Sequence, residues 1–427
     1  MSTDNSNITA SSIQRNESYL LWGISIYCFG LLVPMFYQIS YFGALLNYIG
    51  LILMILAFNG LPYSCFPKNG KFVFIFKLYF FWSVIIFIRG FLGLTDFRDF
   101  MFYLIEYKFG PISFVILPAA VMFGTNIFFY KKLFKWIYAY AIAFIVMSFL
   151  FLLPILNSSF SWAKIYENTG IVENLIKSLF LPASFGLLTI YLQNRKIKIS
   201  ILIAFGLALI ISVFFARRNL IFSVGLAVIF TAILYTFSST SKKVKFLFIF
   251  TFTLFLALSS SIITDNLSSD KFKFITLRID EDIISSRDGI QTDMFKDFDD
   301  APLDYLWGRG GNGTYYTSDP ELVELDGGQR RSMETGYLAL ILKGGLIYLL
   351  LHLLILVFAV YKGLFRSNNK LIKAAALFIL IAILELGPAG CNRATLYSLM
   401  TWFLVGMCYS PEIRNMDNKT IKAFIIS

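Results

Sequence analysis

The sequence predicts an all-α integral membrane protein with about twelve transmembrane helices. Hydrophobic residues make up 57% of the chain and charged residues only 15%, and its 427 residues include 47 Phe. The mean hydropathy is +0.71. A soluble domain of this length could not bury so much apolar surface. The residue alternation of a membrane barrel is not seen, so the backbone must satisfy its own hydrogen bonds in helices.

Twelve apolar stretches are each long enough, as a helix, to cross a hydrocarbon core of about 30 Å. They cover residues 20–38, 41–58, 72–89, 111–129, 133–153, 175–193, 199–216, 219–237, 246–263, 336–360, 371–387 and 394–409. The fourth stretch contains Pro111, Pro118 and Gly124, which also suit a broken or re-entrant helix. Helices 1–9 therefore occupy residues 19–263, and helices 10–12 occupy residues 336–410.

The distribution of Lys and Arg predicts the orientation. Positive residues in short loops are held on the cytoplasmic side of a membrane. With a cytoplasmic N-terminus, six basic clusters lie inside and the loop 264–335 lies outside. Residues 1–18 are polar and lack the basic start of a signal peptide, so we expect a disordered cytoplasmic tail and a retained first helix. Residues 411–427 are expected to form a second cytoplasmic tail.

The outer loop 264–335 has a composition unlike the rest of the chain. It holds 16 of the 26 carboxylates and eight Lys and Arg, so its charge is about −8, whereas the whole chain carries +11. The basic excess therefore reflects membrane orientation and does not indicate a nucleic-acid partner. We expect recognition or chemistry in this loop.

Cysteine and histidine give no sign of a metal or redox site. The four cysteines lack metal-ligand or redox spacing, and the single histidine, His352, lies inside the tenth apolar stretch. His352 is expected to be a packed or lumen-facing helix residue. No cofactor is expected, although the acid pair Asp299 and Asp300 leaves Ca²⁺ or Mg²⁺ binding open against the alternative of a solvated surface.

One basic pair breaks the orientation pattern. Arg217 and Arg218, followed by Asn219, form a very short outer turn between the seventh and eighth stretches. The planar guanidinium donates to two phosphate oxygens at once. A diphosphate at the membrane surface is the expected ligand, and headgroup anchoring or an ion pair with the acidic loop is the alternative.

The outer loop contains three further candidate segments. Residues 286–298 predict an amphipathic helix, which begins with Arg287 and Asp288. The glycine-rich residues 308–313 lack the P-loop pattern and suit either a plain turn or a ligand cradle. The segment 329–338 joins the loop to a helix start, where the helix dipole favours anions. Its Glu334 is either a general base or an ion-pair partner of the neighbouring arginines.

These segments, in this order and on this side of the membrane, resemble the superfamily of O-antigen polymerases and O-antigen ligases, the Wzy and WaaL type membrane glycosyltransferases of the GT-C class. The resemblance covers chiefly residues 200–350. The matching pieces are the Arg217-Arg218-Asn219 turn, Ser286-Arg287-Asp288, Pro302-Leu303 with Trp307-Gly308-Arg309-Gly310, Glu334-Thr335-Gly336-Tyr337 and Lys343-Gly344-Gly345-Leu346.

The resemblance implies substrates linked to undecaprenyl diphosphate at the periplasmic face of a bacterial inner membrane. An acceptor hydroxyl would attack the anomeric carbon of the donor chain and expel undecaprenyl diphosphate. Cations would stabilise the leaving phosphate, and a carboxylate, Glu334 first and Asp288 second, would take the proton. The expected catalytic residues are Arg217, Arg218, Arg287, Asp288 and Glu334. The expected substrate-binding residues are Arg98, Arg309, Gly310, Asn312, Arg330, Arg331 and Tyr337.

Two other activities stay open from the sequence. Ligases of this group typically carry a histidine near the outer start of the late helix, where this chain has Glu334. A lipid-linked oligosaccharide flippase is expected to have two similar halves and short loops, and neither is evident here. Polymerisation is therefore the favoured activity. A chain-length regulator of the Wzz type is the expected protein partner on the resemblance alone, besides membrane lipid.

Overall fold

The computed structural model describes residues 2–37, 40–59, 61, 66–68, 70–92, 94, 97, 100, 103, 111–157, 174–214, 218–238, 283–318, 327–331, 333, 335–387 and 395–426. Within these ranges the side chains of residues 2–12, 34–37, 40–41, 111–112, 151–157, 213–214, 218, 237–238, 283–288 and 426 are not part of the description. The described chain is almost entirely helical.

The helices of the first half are α1 (Ser2–Tyr37), α2 (Ser40–Phe58), α3 (Gly70–Arg89), α4 (Pro111–Ala119), α5 (Val121–Gly124), α6 (Ile127–Asn157), a π-helical turn (Ile176–Phe180), α7 (Ala183–Leu188), a 3₁₀ turn (Ile190–Leu192), α8 (Arg195–Phe214) and α9 (Arg218–Ser238). The later elements are α10 (Ile283–Asp299), α11 (Leu303–Trp307), β1 (Tyr315–Tyr316), β2 (Gln329–Arg330), α12 (Gly336–Phe365), α13 (Lys370–Glu385), α14 (Leu396–Tyr409), α15 (Pro411–Asn415) and α16 (Asn418–Ile426).

Four helices of the described chain are long and apolar enough to cross a membrane. They cover Gly70–Arg89, Ile127–Leu150, Asn219–Thr236 and Gly336–Phe365. Shorter apolar helices lie beside them, including Leu396–Tyr409. The fold class of an all-α membrane protein is therefore supported by helix length and composition, whereas four spans fall short of the twelve that the sequence predicts.

The polar residues at the N-terminus belong to helix α1. Helix α1 begins at Ser2, well before the apolar stretch. Glu17 is only 4% exposed, and its carboxylate accepts from Lys132 at 2.7 Å and from Asn126 at 2.8 Å. These two bonds tie the polar end of α1 to the start of α6, so the segment gains partners that its polar composition does not reveal.

The fourth apolar stretch is a broken helix, the alternative that its proline and glycine residues left open. Helix α4 ends at Ala119, and helix resumes as the four-residue α5 before α6 begins at Ile127. Gly124 ends α5 against α14, where a Cβ atom would stand 1.9 Å from the Phe403 carbonyl oxygen. Only a glycine allows this contact between the two backbones.

Helix α12 contains a break that the sequence did not predict. Gly345 has φ 73° and ψ −178°, which interrupts the helical hydrogen bonding. The carbonyls of Leu342 and Lys343 accept instead from the backbone N–H groups of Arg309 and Gly310, at 2.7 and 2.9 Å. The outer-loop turn of residues 307–313, called the docked turn below, thus fills the gap in the helix.

Side chains from α3 and α12 hold the docked turn in place. The Arg89 guanidinium donates to the carbonyls of Trp307 at 2.9 Å and Gly308 at 2.8 Å. The Trp82 indole N–H donates to the Gly344 carbonyl at 2.8 Å, and the ammonium of the buried Lys343 donates to Gly313 at 2.9 Å. The docked turn is therefore fastened by hydrogen bonds to α3 and α12, two of the helices that are long and apolar enough to cross a membrane.

The predicted amphipathic segment of the loop is confirmed as α10. Its Met294 and Phe298 are fully buried, whereas Phe295 on another face is 39% exposed. The C-terminal residues are helical too, in α15 and α16, where Ile413, Ile421 and Ile425 are buried. The expected C-terminal tail therefore packs against the bundle over the residues that the structure describes.

Candidate functional site

A polar cavity of about 80 Å³ lies among the helices of the bundle. It reaches from the start of α9, the end of α13 and the start of α14 to the middle of α12. A cavity of this size has room for several waters. Its polar lining residues are Lys177, Asn219, Ser223, His352, Glu385, Thr395, Tyr397, Ser398 and Thr401.

Glu385, the last residue of α13, is the carboxylate of this cavity and is 7% exposed. The Tyr397 hydroxyl donates to its Oε2. Lys177 lies close enough to attract the carboxylate electrostatically, and the Ser223 hydroxyl lies beside it. Oε1 accepts no hydrogen bond within the part of the chain that the structure describes. The cavity thus contains a cation, a carboxylate and several hydroxyls in an otherwise apolar surround.

His352 closes the inner end of the cavity as a packed aromatic residue. Its Nδ1 lies 3.0 Å from the Tyr79 hydroxyl, which in turn lies 2.7 Å from the Tyr348 hydroxyl. The Tyr79 and Tyr348 rings are stacked, and the Trp402 ring meets the imidazole edge to face. His352 is therefore both packed and cavity-lining, and the sequence had left open which of the two it is.

Described neighbours of the predicted catalytic residues line or contact this cavity. Arg217 and the side chain of Arg218 lie outside the described residues, but Arg218 begins α9 and the next residue, Asn219, lines the cavity. Glu334 also lies outside them. Three residues later the Tyr337 N–H donates at 3.1 Å to the carbonyl of the cavity-lining Leu386.

The other predicted catalytic pair is on α10. The helix includes Arg287 and Asp288, whose side chains lie outside the described part. One turn later the Gln291 amide donates to the Thr335 hydroxyl at 3.4 Å, so α10 meets the start of α12. Three separate stretches of the sequence that carry candidate residues thus meet near one end of the cavity.

Arg309, predicted to bind substrate, is engaged within the loop. Its guanidinium donates to the carboxylates of Asp304, at 2.6 Å, and Asp297, and to the carbonyl of Thr314 at 2.8 Å. Burial acts to lower the pKa of Arg309, but the bonds to both carboxylates raise it above its ordinary value. The same side chain stacks over the Phe298 ring at 4.6 Å. Arg309 therefore holds the docked turn against α10.

The glycine-rich residues form a structural turn. Gly308 and Gly310 have φ of 64° and 81°, in the left-handed region that glycine favours. A Cβ at Gly310 would press on Arg89 at 2.8 Å. These glycines let the turn approach α12 and α3, and that role accounts for them without a ligand. Asn312 retains a buried amide oxygen with no hydrogen bond within the described chain.

Arg330, Arg331 and Tyr337, also predicted to bind substrate, are partly or fully exposed. Arg330 lies in β2, which pairs with β1, and the next residue, Arg331, is exposed. Tyr337 is 37% exposed at the start of α12. Arg98 lies outside the described residues. Substrate binding by these residues stays a prediction.

From the sequence, Glu385 in the eleventh apolar stretch is a secondary candidate, either functional or paired with Arg393, whereas Lys177, Ser223 and Tyr397 were missed. A signal was available, because ionisable residues inside apolar stretches are rare and usually functional or paired. Lys177 and Glu385 both stand in such stretches, more than 200 residues apart. Only the packing of the helices brings Lys177 and Glu385 into one cavity.

The chain matches no protein-family model, no curated protein and no solved structure among those compared with it.

Proposed function

We propose that the protein is a membrane glycosyltransferase that polymerises lipid-linked oligosaccharide repeat units, as O-antigen polymerases do. It would transfer the growing glycan from undecaprenyl diphosphate to a new lipid-linked unit and release undecaprenyl diphosphate. The proposal includes twelve transmembrane helices, cytoplasmic termini and an active face towards the periplasm.

One observation supports the proposal above the others. Near one end of a polar cavity in an apolar bundle, Asn219 lines the cavity, Tyr337 donates to the cavity-lining Leu386, and Gln291 of α10 donates to Thr335. These residues are the described neighbours of the three candidate stretches at Arg218, Glu334 and Asp288. The predicted orientation puts that end on the outer side, because α9, α12 and α14 begin there and α13 ends there. Each of the three stretches was selected from the sequence for reasons that did not involve the cavity.

The chemistry of the transfer suits this arrangement. Negative charge grows on the leaving diphosphate in the transition state, and fixed cations stabilise it. Arg217 and Arg218 are the first candidates, with Arg287, Arg330 and Arg331 as candidates from the loop. Arg309 is not among the candidates for binding the diphosphate, because its guanidinium forms ion pairs with Asp297 and Asp304.

Deletion of the gene, followed by analysis of the lipopolysaccharide bands, tests the activity. A polymerase predicts that lipid A-core capped with a single repeat unit persists while the longer ladder disappears. Loss of all capping would instead indicate failed export or ligation, and the flippase or ligase activity would replace the proposal. An unchanged ladder would contradict all three activities.

The arginine turn is tested by Arg218→Ala in the complemented deletion strain. We expect the long chains to be lost while the protein remains inserted at normal level, because the leaving diphosphate loses its cation. Arg195→Ala is the matched control, since Arg195 is an exposed arginine at the start of α8 on the predicted inner side. Normal chain length in the Arg218 variant would remove the turn from the mechanism.

A further inference from the structure

Two glutamates of the described chain are more than nine-tenths buried, Glu17 and Glu385. Both oxygens of Glu17 are occupied: Oε1 accepts from Asn126 at 2.8 Å and Oε2 accepts from Lys132 at 2.7 Å. A buried carboxylate with a donor on each oxygen is satisfied without a ligand, which fits a structural role.

Glu385 differs in having one oxygen without a donor. Its Oε2 accepts from Tyr397, but Oε1 accepts from no residue that the structure describes. The Ser223 hydroxyl lies within hydrogen-bonding range of the carboxylate, but its one proton is donated to the Asn219 carbonyl at 3.0 Å. Burying an acceptor without a donor is unfavourable, so native proteins usually supply one. Because Glu385 lines the cavity, a water or a ligand hydroxyl there would supply the donor that Oε1 lacks among the described residues.

We propose that Glu385 is the catalytic base that takes the proton of the acceptor sugar hydroxyl, an assignment that rests on the proposed glycosyl transfer. The hydroxyl oxygen forms a bond to the anomeric carbon of the donor. The bond from that carbon to the diphosphate oxygen breaks, and its electron pair leaves with the diphosphate. The proton passes to Oε1 of Glu385.

The neighbours of Glu385 fit this role. Tyr397 fixes the carboxylate through Oε2, so that Oε1 keeps one position. Lys177 supplies a positive charge near the carboxylate. Asn219 lines the same cavity directly after Arg218, so a diphosphate bound by the arginine turn would bring its anomeric carbon to the cavity's end.

The proposal replaces Glu334 and Asp288 as first choices for the base. The titratable groups that share the cavity with Glu385 are Lys177 from the π-helical turn, Tyr397 from α14 and His352 from α12. Arg393, close in sequence to the start of α14, lies outside the described residues.

The test uses the purified full-length protein in lipid nanodiscs and, as substrate, the lipid-linked repeat units extracted from the deletion strain. Glu385→Gln keeps the size of the side chain but cannot accept the proton. General bases contribute about 100-fold to 10,000-fold in rate, so we expect at least about a 100-fold loss of elongation. Binding of the same lipid-linked unit should persist, since the substitution leaves the arginines in place.

The pH profile separates catalysis from structure. The wild-type rate should fall as the pH is lowered, because protonated Glu385 cannot act as a base. The fall in elongation rate at low pH, called the acid limb below, should also occur in Glu385→Asp. The residual rate of Glu385→Gln should show no such fall. An acid limb that is unchanged in Glu385→Gln would overturn the assignment.

Glu17→Gln is the matched control. It should lower the melting temperature and leave the elongation rate per folded molecule unchanged, because neither Glu17 nor its partners Asn126 and Lys132 line the cavity. If Glu385→Gln does not fold, Tyr397→Phe keeps the carboxylate and removes its donor. That variant should shift the acid limb, and an unshifted limb would contradict the proposal.

The two proposals fail in different ways. Wild-type elongation together with a fully active Glu385→Gln variant would reject Glu385 and leave the polymerase function standing. A wild-type protein that binds the lipid-linked units but never elongates them would reject the polymerase function itself, and Glu385 with it.

Discussion

The docked turn and the polar cavity both contain charged residues, but they differ in how completely those charges are paired. In the docked turn, Arg309 donates to two carboxylates and two carbonyls. In the cavity, Glu385 has a donor on one oxygen only within the described chain. A fully paired charge stabilises the fold, whereas a half-paired buried charge has capacity for a ligand. The number of hydrogen bonds that a charged group makes, and not its charge alone, therefore distinguishes the docked turn from the polar cavity.

The largest effect on the docked turn is expected from Gly345→Ala. The residue has φ 73°, and its new Cβ would stand 2.0 Å from the Leu306 carbonyl oxygen. A left-handed backbone costs about 1–2 kcal/mol and overpacking about 1–3 kcal/mol, so we expect a loss of about 3 kcal/mol or more. Thermal unfolding in detergent, followed by size-exclusion chromatography, measures it.

Gly206→Ala in α8 is the control for this substitution. A Cβ there meets nothing within 4 Å, and alanine favours helix over glycine by about 1 kcal/mol. Its melting temperature should stay equal or rise. Equal melting temperatures for the two variants would show that the helix break does not depend on Gly345.

A smaller effect is expected from Arg309→Met. The substitution leaves the carboxylates of Asp297 and Asp304 without their main donor, and a buried hydrogen bond to a charged group is worth about 1.5–3 kcal/mol. The melting temperature should drop, and elongation should fall only as far as the amount of folded protein does. Arg331→Met, at an exposed arginine, should leave the melting temperature unchanged.

An Arg309→Met variant that kept the wild-type melting temperature and lost elongation would contradict the structural role assigned to Arg309. Arg309 would then contact substrate, as the sequence analysis predicted, and full pairing would not be a sign of a structural role. Measurement of both quantities on the same preparation decides between the two roles.

The smallest effect concerns Asp293 of α10. Burial acts to raise the pKa of this carboxyl, but hydrogen bonds from the amide and hydroxyl of Ser318 and the hydroxyl of Thr317, together with Lys296, hold it below its ordinary value of 3.8. A lowered folded-state pKa means that the stabilisation is present above about pH 4 and is lost as the pH falls further.

Asp293→Asn should remove this pH dependence. Hydrogen exchange at the Ser318 amide, which donates to Asp293 at 2.9 Å, reports the change as a protection factor. Protection should fall on acidification in the wild type and stay low and flat in the variant. Asp300→Asn, at an exposed aspartate, is the control and should behave as the wild type does.

Much of the local architecture was predictable because it depends on neighbours in sequence. The amphipathic α10, the broken helix after Pro111 and the long apolar helices α3 and α12 follow from periodicity, proline and glycine positions, and hydropathy. The helical N-terminus was not predictable. Its polar residues become helical through Lys132 and Asn126, more than 100 positions away.

The site was predictable only in part. The sequence selected the turn at Arg218 and the segment at Glu334, since both are charged residues at the ends of apolar stretches, and their roles stay predictions. It placed Arg309 in the site as well, because an arginine among glycines looks the same whether a ligand or an aspartate pairs with it.

By itself, the sequence determined that the chain is an apolar helical protein with one acidic, glycine-containing loop, because composition and periodicity are local properties of the chain. The tertiary structure alone decided that the docked turn fills the break at Gly345, and that Lys177, Glu385 and Tyr397 share a cavity. Those outcomes depend on which donors meet which acceptors across hundreds of residues. Helix packing sets that pairing, and no local pattern encodes it.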